Sequence, residues 1–421
     1  MRLQPDSQYA HLRDAVREFA QSTVKRYAED VDRDHRFPRE AIDGARDLDL
    51  MGILIPPEYG GAGLDHLAFT ICIEELARAC ASTSVIVDVH NSVASEPILL
   101  YGGDEQKRAW LPRLASGEVL GAFALTEPAS GSDAAALQTT ARRVGAEWVL
   151  SGTKVFITNV GEAGMYLVFA RTGPEPRGAG VSAFIVPADC DGLRVGQVFK
   201  KMGLNGSPTG ELLLEEVRVP AASLLHREGG GFTVAMRALD SGRIGISGQA
   251  LGIADAALTE AIEYTQQREQ FGRPISANQG VGFMLADMAT RLTAARQMAY
   301  HAAVLCSQQR PFTREASMAK LFCTDTAMDI AIDGVQLAGG YGYVADLPFE
   351  RHFRDAKALQ IYEGSNQVQL IVISRQLLSS HPAKSGDFVG TPRSHPAKSG
   401  DFVGTPRSQS TKSGDFAVPG R

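Results

Sequence analysis

The sequence predicts an α+β protein in which helices form both ends of the folded region and strands form the middle. Near the N-terminus, and again from Phe232 onward, apolar residues recur every three to four positions, the period of a helix with one buried face. From Gly121, short β-rich runs alternate instead with glycines and prolines. The order helices, strands, helices therefore indicates three domains.

The N-terminal domain, expected over residues 1–120, is predicted to be all-helical. Two apolar stripes have helical spacing: Leu12, Val16, Phe19 and Val24, and then Phe69, Ile73, Leu76 and Ala77. The segment Pro56–Gly63 separates them and is rich in proline and glycine, so we expect a loop there.

The middle domain, expected over residues 121–228, is predicted to be a small barrel or sandwich. Its six predicted strands are Trp148–Leu150, Lys154–Thr158, Tyr166–Ala170, Val181–Val186, Leu193–Phe199 and Glu211–Val219. Many short strands without a helical period between them are typical of such a fold.

The C-terminal domain, expected over residues 229–379, is predicted to be helical again. Two stripes support this: Phe283, Leu285, Met288, Leu292 and Ala295, and then Val368, Ile371, Val372 and Leu378. Residues 380–421 differ in kind, because SHPAKSGDFVGTPR occurs twice in succession and then in part. This composition cannot bury a core, so the sequence predicts a disordered tail.

Composition excludes several classes of function. The formal net charge is −6, whereas proteins that bind nucleic acid concentrate positive charge. No apolar run is long enough to span a bilayer, and the N-terminus lacks the apolar core of a secretory signal, so we expect a cytoplasmic protein without a membrane partner. The five cysteines include no C-x-x-C pair, which predicts reduced thiols and no metal site.

Three segments could carry chemistry, although each has an ordinary structural explanation. The loop Leu125–Asp133 could meet a polar cofactor ring or a phosphate, or it could be a simple serine or aspartate turn. Gly339 and Gly340 could open a phosphate-binding loop or end a helix. Glu363 lies just before the N-terminus of a predicted helix that Ser365 or Asn366 can cap, but a lone glutamate is usually a solvated surface charge.

Taken together, these segments resemble the acyl-CoA dehydrogenase family from about Tyr9 to Leu378. The matching stretches are Leu125–Asp133, Gly152–Asn159, Leu239–Arg243, Arg268–Gly272, Gln336–Gly342, Arg354–Lys357 and Tyr362–Gly364. The resemblance implies an N-terminal helical domain, a middle β-barrel domain and a C-terminal four-helix bundle. It also implies FAD held between the last two domains, and a homotetramer.

The resemblance assigns roles to individual residues. Residues expected to line the flavin ring are Thr126, Phe156, Ile157 and Thr158. Residues expected at the adenine and pyrophosphate end of FAD, bound mainly by another subunit, are Arg268, Phe271, Gln336 and Gly340, with Gln367 near the adenine. Residues expected to bind the acyl-CoA substrate are Ser132, Asp240, Arg243, Tyr362 and Gly364.

The resemblance also implies the reaction. Glu363 would remove the α-proton of a short acyl-CoA while a hydride passes from the β-carbon to the flavin, giving a trans-2-enoyl-CoA. The backbone N–H of Glu363 and a ribityl hydroxyl of FAD would hold the thioester oxygen, which stabilises the developing enolate. Burial should raise the pKa of Glu363 toward the working pH. Electron-transfer flavoprotein would accept the electrons.

The substrate branch stays open at this stage. Some relatives place the base two residues after the aspartate of the Leu239–Arg243 stretch; Gly242 stands there, so these relatives are excluded. Leu239–Ile246 resembles butyryl-type enzymes of fatty acid metabolism. Three other stretches resemble isobutyryl-type enzymes of branched-chain amino acid degradation: Ser207–Thr209, Ala286–Leu292 and Glu363–Asn366. An acyl-CoA oxidase or flavin monooxygenase on the same fold, and a non-catalytic acyl-CoA-binding protein, are the alternatives.

Overall fold

The computed structural model describes residues 7–380, and helices make up most of residues 7–115. The predicted tail lies outside the described residues. The N-terminal helices are α1 Ser7–Phe19, α2 Lys25–Arg33, α3 Arg39–Asp47, α4 His66–Ala79, α5 Ala81–Val89, α6 Glu96–Tyr101 and α7 Asp104–Ala115. Short π-helical segments, Ala20–Val24 and His90–Ser95, follow α1 and α5 directly.

Helix α4 explains how the N-terminal helices attach to the rest of the fold. It begins at Asp65, whose carboxylate accepts the Ala68 N–H at 2.9 Å and so caps the helix. Nearly all its residues are buried, because it is packed on both sides. Its Leu67 and Ile71 join an apolar cluster that is otherwise built mainly from the C-terminal helices.

The middle region is one eight-stranded, mainly antiparallel sheet. Its strands are β1 Gly121–Ala124, β2 Thr140–Val144, β3 Glu147–Thr158, β4 Met165–Arg171, β5 Val181–Pro187, β6 Leu193–Val198, β7 Thr209–Pro220 and β8 Leu224–Leu225. The hydrogen-bonded order is β6-β7-β3-β2-β4-β5-β8, with β1 parallel to β4. Two of the six predicted strands are the halves of β3.

The C-terminal region returns to helices. These are α8 Gly231–Gln267, α9 Gln279–Ser307, α10 Thr313–Ala338, the single turn α11 Gly340–Tyr343, α12 Phe349–Leu359 and α13 Asn366–Ser380. A two-stranded ribbon, β9 Glu269–Gln270 and β10 Arg273–Pro274, links α8 to α9. In the part of the chain that the structure describes, no helix has the length and apolar character needed to cross a membrane.

Not every apolar side chain of the predicted C-terminal stripes is buried within the single chain. Met288, Leu292 and Ala295 of α9 enter the core, but Phe283 is 64% exposed. On α13, Ile371 and Leu378 are also exposed. These helices thus present apolar surface that a second subunit could cover.

Candidate functional site

The turn between α12 and α13 holds Glu363 in a conformation that its side chain does not favour. Glu363 and Gly364 both have positive φ, 52° and 89°. Such a backbone costs a residue other than glycine about 1–3 kcal/mol, so surrounding contacts must enforce it. The Gly364 carbonyl accepts hydrogen bonds from Lys320 Nζ at 3.0 Å and from Gln369 Nε2 at 2.7 Å. Lys320 also donates to Asn366 Oδ1 at 2.9 Å, which ties the turn to α10.

A glycine on α8 makes room for the Glu363 carboxyl group. A Cβ atom at Gly242 would lie 2.7 Å from Glu363 Cδ, and closer still to Oε2. Any side chain at this position would therefore displace the carboxyl group. Gly242 is also the position at which some relatives carry their base. A glycine cannot act as a base there, but it leaves space for the Glu363 carboxyl group.

The electrostatic setting of Glu363 is unusual for a glutamate. Burial raises its pKa to about 7, although the nearby charges of Arg243 and Lys320 oppose the shift. Its Oε2 atom is buried and has no hydrogen-bond partner among residues 7–380. Burial likewise lowers the pKa of Lys320 to about 7, despite the charge of Glu363. Near neutral pH the carboxyl group can thus take up and release a proton.

Two predicted substrate residues, Asp240 and Arg243, form a buried ion pair on α8. Arg243 Nη1 donates to Asp240 Oδ1 at 2.6 Å, and Thr313 Oγ1 donates to Asp240 Oδ2 at 2.6 Å. The charge of Arg243 lowers the pKa of Glu363 more than that of Lys320 does, so the structure brings these predicted residues to one site. Tyr362 belongs to the same site, because its hydroxyl donates to Gln249 of α8. Ser132 is exposed on the separate Leu125–Asp133 loop.

The Leu125–Asp133 loop is fastened to β3 by a buried ion pair. Lys154 Nζ lies 2.7 Å from Glu127 Oε1 and 3.1 Å from the Leu125 carbonyl oxygen. Glu127 also accepts backbone N–H groups at 2.6 and 2.9 Å from Gln138 and Thr139. The Thr126 carbonyl accepts the Val155 N–H at 2.9 Å. The loop is therefore held rigidly against the strand that carries the predicted flavin-ring residues.

These residues of β3 form a partly exposed ledge around Phe156. Phe156 has a positive φ of 59° and is 65% exposed, and its ring lies 5.2 Å from that of Phe199. A register shift between Lys154 and Ile157, relative to β7, produces this outward turn. Ile157 is buried beneath the ledge and Thr158 is half-buried. An exposed aromatic residue beside half-buried hydroxyls can accept a flat, polar ring.

The residues predicted for the adenine half of FAD lie on the surface of the single chain. Arg268, Phe271, Gln336, Gly340 and Gln367 are all exposed. The Arg268 guanidinium lies 5.6 Å from the centre of the Tyr341 ring, which places the end of α8 beside α11. The flavin-ring residues lie instead on the middle sheet and its preceding loop. The predicted flavin-ring residues and the predicted adenine-half residues thus lie on different elements of the single chain.

Some functional features were missed or left open by sequence reasoning. His90 is a structural histidine: its Nε2 lies 3.0 Å from both the Met51 and Leu114 carbonyl oxygens, and its Nδ1 accepts the Gly121 N–H at 3.0 Å. Burial lowers its pKa to about 4. Asp88 was overlooked, although an acid inside the apolar run of α5 was a signal that could have found it.

Comparison with known proteins identifies the fold and the family. Three family models match consecutive parts of the chain: the acyl-CoA dehydrogenase N-terminal domain at residues 6–118, the middle domain at 122–217 and the C-terminal domain at 229–378. The chain belongs to the acyl-CoA dehydrogenase family. The predicted family, fold class, enzyme class and FAD dependence are therefore confirmed.

Individual acyl-CoA dehydrogenases are similar along nearly their whole length. The mitochondrial short-chain specific acyl-CoA dehydrogenase of Bos taurus is 46% identical over 370 residues, 88% of this chain and 90% of that protein. The butyryl-CoA dehydrogenase of Megasphaera elsdenii has a TM-score of 0.88 at 40% identity, over 90% of this chain and 100% of that one. A chain from a structure of the electron transferring flavoprotein of Acidaminococcus fermentans has a TM-score of 0.89 at 45% identity, over 90% and 100%.

Proposed function

We propose that this acyl-CoA dehydrogenase oxidises a short-chain acyl-CoA, straight or 2-methyl-branched, to the trans-2-enoyl-CoA, with Glu363 as the base. The observation that carries the proposal is the Glu363 carboxyl group itself. Glu363 is partly exposed as a residue, but its Oε2 atom is buried without a partner among the described residues, and its pKa is near neutral. A buried acceptor without a partner, held in a strained turn, suits proton abstraction from a bound substrate.

The residues around Glu363 explain how the proton can move. Ionised Glu363 takes the α-proton and becomes neutral, which burial favours. Arg243, buried on α8, supplies positive charge beside the enolate as it forms. FAD, when bound, supplies the acceptor for the hydride that leaves the β-carbon. Thr126, Phe156, Ile157 and Thr158 would hold its ring, and their ledge fits one.

The acyl chain is assigned to a small apolar cluster beside Tyr362. Its buried members are Val85, Val89, Val93 and Ala238, with Phe123 and Tyr362 packed against them. The cluster has only four buried members, which suits a chain of four to five carbons. The similarity to proteins named short-chain specific and butyryl-CoA dehydrogenase supports the same length. Ser132, Asp240, Tyr362 and Gly364 would position the thioester and its CoA.

The exposed adenine-half residues support an assembly. We assign Arg268, Phe271, Gln336, Gly340 and Gln367 to FAD bound mainly by another subunit of a homotetramer. Phe271 is fully exposed in the single chain, which is unfavourable unless a partner or ligand covers it. The similarity to a chain in an electron transferring flavoprotein structure supports such a flavoprotein as electron acceptor. The domain limits 1–120, 121–228 and 229–379, and a cytoplasmic location, belong to the same proposal.

The proposal is tested by following the bound flavin. The purified protein should contain FAD by mass spectrometry, and butyryl-CoA or isobutyryl-CoA should bleach its oxidised absorbance under anaerobic conditions. Reoxidation should be slow in air and fast with electron transferring flavoprotein. Fast reoxidation by oxygen would instead establish an oxidase, and no bleaching by acyl-CoA of any length would establish a non-catalytic protein.

A further inference from the structure

Asp88 is a second buried acid beside Glu363, and the mechanism above makes no use of it. It lies on α5 and is completely buried. Ser92 Oγ is 2.9 Å from Asp88 Oδ1 and 2.8 Å from the Asp88 carbonyl oxygen, so its one proton is shared between them. Asp88 Oδ2 is buried and, within residues 7–380, has no hydrogen-bond partner. A buried polar atom without a partner is costly unless a ligand or a solvent molecule pairs with it.

Helix α8 aligns Asp88 with Glu363. A Cβ atom at Gly245 would lie 2.6 Å from Asp88 Cγ, just as one at Gly242 would meet Glu363. Positions three residues apart on a helix have Cβ atoms about 5–6 Å apart on one face. Each carboxyl group therefore fills the space left by a glycine on α8, and the two spaces lie about one helical turn apart. Further along this face, Gln249 accepts the Tyr362 hydroxyl.

Asp88 borders the apolar cluster to which the acyl chain is assigned. Val85 and Val89, which precede and follow Asp88 on α5, both belong to the apolar cluster assigned to the acyl chain. If carbon 2 of the substrate faces Glu363, an oxygen on carbon 4 lies three bonds further along. A hydrogen bond of about 2.8 Å then joins this oxygen to the Asp88 carboxyl group, which lies one helical turn from Glu363.

We propose that Asp88 determines substrate specificity, hydrogen-bonding through its free oxygen to an oxygen substituent on carbon 4 of a short acyl chain. This inference rests on the proposed function. A hydroxyl group is the simplest such substituent.

The protonation state of Asp88 decides which kind of substituent fits. Burial raises the pKa of Asp88 well above its usual range, and the charge of Glu363 raises it further. The raised pKa favours the protonated form of Asp88. Because Oδ1 accepts a hydrogen bond from Ser92, a protonated Asp88 can donate through Oδ2. A donor suits an oxygen acceptor, whereas an ammonium group would need an ionised carboxylate.

The test compares valeryl-CoA with 4-hydroxybutyryl-CoA, which have the same shape and differ by a methyl or hydroxyl end. Anaerobic rapid mixing gives the specificity constant of flavin reduction for each. The parent enzyme should favour 4-hydroxybutyryl-CoA at least about tenfold, because a site built to bind a hydroxyl rejects its methyl analogue. In Asp88→Ala the ratio should fall below one, since the hydroxyl loses its partner. Asp88→Asn keeps a donor and should keep most of the preference.

Val89→Ala is the matched control, because it alters the pocket without altering its polarity, and the ratio should stay at the parent value. A parent ratio near one, or an unchanged ratio in Asp88→Ala, would overturn the assignment. Equal slowing of both substrates with a shifted pH profile would also overturn it, since Asp88 would then act on Glu363. If the Asp88→Ala variant loses FAD, the assignment is judged from the substrate ratios of the parent enzyme and of Asp88→Asn. Failure of valeryl-CoA to reduce the parent flavin would count against the proposed function instead.

Discussion

At the scale of single residues, the site depends on where side chains are missing as much as on where they are present. Glu363 can occupy its position only because Gly242 has no Cβ atom. The pKa of about 7 follows from that buried position, with Arg243 and Lys320 limiting the shift. One glycine thus links the packing of α8 to the chemistry of the base.

Gly242→Ala should slow flavin reduction by about a hundredfold, because the new methyl group would push the Glu363 carboxyl group out of line with the substrate. Gly282→Ala is the control, since a Cβ atom at this other helical glycine meets nothing within 4 Å. Stopped-flow absorbance with butyryl-CoA measures both. Equal rates in the two variants would show that the clearance at Gly242 has no role.

At the scale of elements, α10 fixes the turn that carries Glu363, the proposed base. Lys320 is buried on α10 and reaches across to Gly364 and Asn366. It therefore has two roles that can be separated. Its hydrogen bonds hold the positive φ of the turn, and its charge lowers the pKa of Glu363.

The pH dependence of flavin reduction separates these roles. Because the base must be ionised, the rate should rise with pH and level off above about 7, the pKa of Glu363. Lys320→Met removes a charge that lowers this pKa, so the midpoint should move to higher pH. Lys357→Met, at an exposed lysine of α12, should leave the midpoint in place. A slower Lys320→Met enzyme with the parent midpoint would leave Lys320 a purely structural role.

The elements also show what the sequence could and could not predict. Helix α9 was predictable because its buried apolar residues recur with the helical period. Strands β4 and β5 were predictable because each is a short, almost fully buried apolar run. Strand β2 was missed since Arg142 and Arg143 leave only Ala141 buried, which hides the alternation. The role of Glu363 came from resemblance, because burial, clearance and nearby charges all arise from residues distant in sequence. The position of Asp88 beside Glu363 likewise follows only from the three-dimensional structure.

At the scale of the whole molecule, the residues proposed to bind FAD fall into two separate sets on a single chain. The ring-binding ledge is on the middle sheet, whereas the adenine-half residues are on exposed turns around α8, α10, α11 and α13. This division, with the exposed apolar residues of α13, supports the assembly proposed above. The mechanism itself, however, depends on groups within one subunit: Glu363, Arg243 and Lys320. It can therefore be tested at a single residue.

The most direct test replaces Glu363 by Gln and measures anaerobic flavin reduction by butyryl-CoA. Glutamine keeps the size of the side chain but cannot accept the α-proton. Substrate should still bind and FAD content should be unchanged, while reduction slows at least about a hundredfold, the low end of what a positioned base contributes. Reduction of the Glu363→Gln flavin at nearly the parent rate would contradict the assignment of Glu363 as the base.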